Sequence, residues 1–144
     1  MSAQDYQKGY YAYQAGDYAK TLKELHPLAE QGLAEAQFIL GGMYLNGRGV
    51  PQDYDEAVKW FRLAAEKGNA SAQADLGGMY ATRKGVPQDN IMAHMWYNLG
   101  AANGHKLSGT NRDEIAKQMT PAAIEKAQAM ALECISSGYM KCGH

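Results

Sequence analysis

Along the middle of the chain, apolar and small residues recur at helical spacing. Ala36, Leu40 and Tyr44 stand at i, i+4 and i+8, with Gly41 beside Leu40. That spacing makes one helix face turned toward another helix. The face returns as Ala72, Leu76, Tyr80 and Gly77. A second stripe, Ala57, Trp60, Leu63 and Ala64, is matched by Ala93, Trp96, Leu99 and Gly100. The pattern predicts a first helix ending near Asn46 and again near Thr82, then a second helix capped by Asp53 or Asp89 and closed by Gly68 or Gly104. Between the two helices lie Gly47-Arg48-Gly49-Val50-Pro51 and Arg83-Lys84-Gly85-Val86-Pro87. Glycine there allows positive φ, and proline stops helical continuation. Gly41, Gly42, Gly77 and Gly78 lie inside helices, where glycine costs about 1 kcal/mol against alanine. A close approach of two helix backbones is the expected reason.

These helices belong to a duplication. Residues 32–67 and 68–103 are two gapless copies of one 36-residue unit, with 18 identical positions. A fixed period in this range marks a solenoid. A shorter unit occupies residues 1–31, where Gly16-Asp17-Tyr18 through Gly32 aligns with Gln52-Asp53-Tyr54 through Gly68. Gly9 takes the part of Gly41, four loop residues are absent, and helices near 4–14 and 17–31 follow. Residues 104–144 change pattern. Thr110 is expected to open one helix, and Thr120 with Pro121 at the first helical position opens another. Ile124, Ala127, Ala131, Leu132 and Ile135 should form the apolar face of the last helix, which closes at Gly138. Such a pair would cap the exposed last repeat, as solenoids require. The expected fold class is all-α: one domain over 1–144, an α/α solenoid of helix–loop–helix repeats with a C-terminal capping helix pair. Closed at both ends, it is expected to be a monomer.

Charge and composition narrow the function. The net charge of −1 gives no basic footprint for nucleic acid. Apolar runs fall far short of a membrane span, and no signal peptide is evident in the chain as given. Cys134 and Cys142 are the only cysteines, with Gly138 available for a turn between them. They read as a disulfide clip that pins the tail to the last helix, with two free thiols as the other reading. The clip would add about 2 kcal/mol by restraining the unfolded chain. It would also imply an oxidising compartment, periplasmic or secreted, whereas reduced cysteines would fit the cytoplasm.

The segments AEAQFILGGMYLNGRGVPQDYDEAVKWFRLAAEKG and ASAQADLGGMY, with the following KGVPQD and WYNLGAANG, resemble a Sel1-like repeat, a relative of the tetratricopeptide repeat with a longer inter-helix loop. GYYAYQAGDYAKTL is closer to a tetratricopeptide repeat, and NRDEIAKQMTPAAIEKAQAMA resembles the terminal helices of many bacterial Sel1-like proteins. The resemblance covers nearly the whole chain. It implies a right-handed α/α superhelix that acts as an adaptor or scaffold in protein assemblies, with no shared catalytic residue. Cysteine-rich secreted members link the two helices of each repeat by a disulfide, and here the repeats hold no cysteine.

Aligned to the tetratricopeptide pattern, the first helix of each unit faces a concave groove. The groove positions are Tyr6, Tyr10 and Tyr13, then Phe38, Gly42, Leu45 and Asn46, then Ala74, Gly78, Ala81 and Thr82. The three tyrosines share a face and suit a protein or peptide partner. Their other reading is a cover on the N-terminal end of the core. Trp60, Trp96, Tyr44 and Tyr80 read as core, and Arg48, Arg83 and Lys84 as solvated loop charge. No phosphate loop, nucleophile elbow or paired-carboxylate motif appears. Glu35, Asp75, Glu114 and Glu133 read as helix-surface charge. His94, His105, His144 and Cys142 do not assemble a metal site at a usual spacing. No cofactor is implied. A binding scaffold is the expected function, and a cell-wall-directed or β-lactam-type hydrolase or binding protein is the second class.

Overall fold

A computed structural model describes residues 3–143. Among the described residues it is all-helical: α1 (Ala3–Gln14), α2 (Tyr18–Glu30), α3 (Ala34–Asn46), α4 (Tyr54–Ala65), α5 (Ala70–Thr82), α6 (Asn90–Ala102), α7 (Ser108–Ala116) and α8 (Pro121–Ser136). Each of α1 to α6 packs on its chain neighbour, and both α7 and α8 pack on α6. The result is an α/α solenoid closed at its C-terminal end. The caps follow the sequence pattern. Asp53 accepts from the amides of Asp55 and Glu56, Asp89 from Met92, and Thr120 from Ala123. Gly47 ends α3 with φ 66°, where glycine is at ease. Its counterpart Arg83 takes φ 60° at the end of α5, a conformation that costs a side chain about 1 kcal/mol or more.

Within each unit a bulky side chain lies across a helical glycine. A Cβ on Gly41 would sit 2.6 Å from the Phe61 ring, and one on Gly77 would sit 3.0 Å from Tyr97. In the short first unit Gly9 meets the Leu25 side chain instead. The expected approach of two backbones is therefore corrected: a side chain fills the space that the missing Cβ leaves. Gly42 has nothing within 4 Å of a Cβ position, so packing does not demand glycine there.

Between units, two devices repeat. The buried amide of Gln37 donates to the Ala29 carbonyl at 3.0 Å, and Gln73 donates to Ala65 at 3.0 Å. Each joins a first helix to the end of the preceding unit's second helix. The loops also reach backward. A Cβ on Gly49 would strike Tyr18, and one on Gly85 would strike the Tyr54 carbonyl. Arg48 donates to the Tyr13 hydroxyl at 3.2 Å, and the Lys84 ammonium lies 6.0 Å from the centre of the Tyr54 ring. Both cations remain exposed, as expected of loop charge, and each also faces a tyrosine of the preceding unit.

The C-terminal cap departs from expectation in detail. Thr110 lies inside α7, which begins at Ser108 after an uncapped Leu107. Buried Ser108 packs against Gly100, so packing on α6 starts this helix where no capping side chain does. On α8 the buried face is Ala127, Ala131 and Cys134, while Leu132 is 69% exposed and Ile135 lies outside the core. Small side chains on that face let α8 approach α6. Leu63 is exposed and its counterpart Leu99 fully buried, because α8 covers α6 and no helix covers the same flank of α4. The sequence difference follows: α6 carries buried Met92 and Met95 where α4 carries Glu56 and Lys59. Cys134 and Cys142 form a disulfide with Cα atoms 4.5 Å apart. The clip seats the tail so that the Tyr139 hydroxyl accepts from Asn103 at 2.9 Å.

The neighbouring glycines of α3 make a paired prediction. Gly41→Ala should destabilise the fold by about 1–3 kcal/mol through collision with Phe61. Gly42→Ala should stabilise it by about 0.5–1 kcal/mol through helix propensity. Urea denaturation of both variants checks the signs.

Candidate functional site

The third unit's first helix, α5, presents Ala74, Gly78 and Thr82 on one face. Together with Leu45 of α3 these line a cavity of about 430 Å³. Four of the expected groove positions, Leu45, Ala74, Gly78 and Thr82, therefore meet at one place. Tyr97 of α6 and Leu107 and Asn111 at the start of α7 close the cavity. The capping helix turns the last stretch of an open groove into a pocket. Leu107, 65% exposed, forms an apolar lip.

Five polar side chains of this cavity, Asp75, Lys84, Tyr97, His105 and Asn111, lie outside the expected groove positions. Asp75 is partly buried rather than surface charge, and the copy before it has Ile39, a core residue, at the same place. Asp75 takes no hydrogen bond or ion pair from the described residues. Burial, offset by His105, pushes its carboxyl from the ordinary 3.8 up to about 6. Tyr97, only 7% exposed, has a hydroxyl without a hydrogen-bond partner among the described residues. Burial and then the Asp75 charge raise its pKa. The Tyr97 hydroxyl would lie 3.4 Å from a Cβ on Gly78. Glycine at 77 and 78 is thus what lets the phenol reach the groove. His105 also lines the cavity, with its Nδ1 in a 2.9 Å hydrogen bond with the Ser108 hydroxyl. The signal for Asp75 was present in the duplication: a carboxylate replaces an isoleucine at a position whose neighbours are packing residues.

The remaining groove positions lie elsewhere. Tyr6 and Tyr10 stack at 5.9 Å on α1, with Tyr10 exposed. Burial and then Glu35 of α3 raise the Tyr6 pKa. Tyr6 and Tyr13 are partly buried and pack on the N-terminal core cluster. Phe38 is partly buried against Phe61, with ring centres 5.9 Å apart. Asn46 and Thr82 donate to the carbonyls of Gly42 and Gly78 of their own helices. Ala81 is partly buried against the core. Among the described residues no three His, Cys, Asp or Glu side chains cluster as metal ligands, and no helix is long and apolar enough to cross a membrane. His144 lies outside the described residues.

Stacked helix pairs, a closed C-terminal end and a lined groove define a helical-repeat protein. The family model for the Sel1 repeat matches residues 34–69 and 70–105. The chain belongs to the Sel1 repeat family. Its fold is similar to a protective antigen of uropathogenic Escherichia coli displaying an SLR fold, at TM-score 0.86 and 29% identity over 94% of this chain. The chain spans 31% of that antigen's length. It is also similar to a Sel1 repeat protein from Oxalobacter formigenes, at TM-score 0.70 and 32% identity over 76% of this chain and 86% of that one. No curated protein matches the chain at a significant level.

The Asp75 carboxyl makes stability depend on pH. Its raised pKa means that the folded state holds the proton more tightly than the unfolded chain does. This stabilising term is complete below about pH 4 and is lost as pH rises through about 6. Asp75→Asn should therefore be the more stable protein at pH 7.5, by on the order of 2 kcal/mol. Thermal melts of both proteins across this range should show the gap closing toward pH 4.

Proposed function

We propose that this chain is a scaffold that binds a peptide or protein segment along the groove formed by the first helices of its units. Sel1 repeats are in general protein–protein interaction modules. The groove positions are Tyr6, Tyr10, Tyr13, Phe38, Leu45, Asn46, Ala74, Ala81 and Thr82. The observation that carries the reading is where the two copies differ. The pairs Phe38/Ala74, Ile39/Asp75 and Leu45/Ala81 depart from the repeat, and Leu45, Ala74 and Asp75 line the cavity under α7. Positions shared between copies serve packing and turns. The positions that differ between copies supply the variable part of the recognition surface.

The disulfide supports work in an oxidising compartment such as the periplasm. The second class, a cell-wall-directed or β-lactam-type activity, gains no constellation from the cavity. The hydroxyl–imidazole pair beside it, Ser108 and His105 at 2.9 Å, has its serine fully buried against Gly100 and off the cavity lining, so it presents no nucleophile to a substrate there.

Peptides selected from a random display library on the immobilised protein provide the test. Thr82→Trp fills the groove at an exposed position and should weaken the selected peptides about tenfold or more. Leu63→Ser, on the exposed flank of α4, should leave binding unchanged. Equal binding to wild type and to a folded Thr82→Trp, judged by circular dichroism, would overturn the groove reading.

A further inference from the structure

We propose that Asp75 and Tyr97 form a subsite for a basic side chain, lysine or arginine, of the polypeptide bound in the groove. The inference deepens the scaffold reading and rests on it. Asp75 is a carboxylate partly removed from water that takes no hydrogen bond or ion pair from the described residues. A charge in that position is costly unless a ligand neutralises it. Tyr97 is more than nine-tenths buried, and its hydroxyl reaches the same cavity without a partner. The carboxylate supplies the strong, charged acceptor for an ammonium or guanidinium group, and the phenol oxygen adds a second, weaker one.

Among the described residues, none of the chain's own cations around the site forms an ion pair with Asp75. His105 is within electrostatic reach but forms no ion pair with Asp75, and its Nδ1 is held by Ser108. Lys84 at the rim directs its ammonium toward the Tyr54 ring. Arg112 donates to Asp113 at 3.1 Å and to Asn98 at 2.8 Å. Leu45, Ala74 and Leu107 supply apolar walls for the methylene stem that a lysine or arginine brings with its charge. A cavity of about 430 Å³ has room for such a side chain. The preceding unit carries Ile39 and Phe61 at the positions of Asp75 and Tyr97. The repeat offers one such subsite, in its last full unit, and so fixes the register of a bound segment.

The sister copy also supplies the variants. Asp75→Ile and Tyr97→Phe install residues that the same scaffold already accommodates, and Asp75→Asn removes the charge with the least change of shape. A random peptide display library is selected in parallel on wild type and on Asp75→Ile, and the enriched peptides are then titrated against all variants and against Thr82→Trp. The expected result is lysine or arginine enriched at one fixed position on wild type and absent from the Asp75→Ile selection. Binding should weaken about tenfold or more in Asp75→Asn and about threefold to tenfold in Tyr97→Phe. If enriched peptides lose affinity in Thr82→Trp but show no basic position, or bind Asp75→Asn as tightly as wild type, the subsite is overturned and the groove stands. If Thr82→Trp leaves binding intact, or neither selection yields a binder, the groove reading fails and the subsite with it.

Discussion

The packing of a large side chain across a helical glycine is the constraint on which the rest of this structure depends. It sets how closely the two helices of each unit approach, because the ring occupies the volume of the absent Cβ. It recurs at Gly9, Gly41 and Gly77, with leucine, phenylalanine and tyrosine as partners. The buried glutamines then join one unit to the next, and the Gly-Val-Pro loops lock against the preceding second helix. Each device is local and each repeats, which is why a short chain builds an ordered array. Stability in such an array is close to a sum over units and their interfaces.

The same constraint creates the site. In the second unit the partner of the glycine is Phe61, and no polar group enters the groove through it. In the third unit the partner is Tyr97, and its hydroxyl passes Gly78 into the groove beside Asp75. One added oxygen, placed by a packing rule, converts a structural contact into a polar feature of the groove. The capping helix α7 completes the pocket with Leu107 and Asn111. Closing the solenoid and shaping the site are one structural event.

Most of the fold was legible in the sequence because the duplication states each packing residue twice. Helix ends, the aspartate caps, the Thr120 cap and the cysteine pair all follow from local chemistry. The cap was less legible because it occurs once. Thr110 looked like a cap, yet docking on α6 through Gly100 starts α7 three residues earlier, after Leu107. Leu132 and Ile135 looked like core, but the surface to be covered required the small residues Ala127 and Ala131. Part of the site was visible as Leu45, Ala74, Gly78 and Thr82. Asp75 was not, since an isolated carboxylate on a helix reads as solvent-facing until its Ile39 counterpart is set beside it. Tyr97 was hidden by its packing role.

The proposed recognition site is the cavity lined by α5 and the start of α7. Hydrogen exchange of the protein saturated with a library-selected peptide tests it most directly. Protection should appear at the groove end of α5 and around residues 105–111, with little change along α4. Protection confined to α2 and α4, with none at residues 105–111, would contradict it.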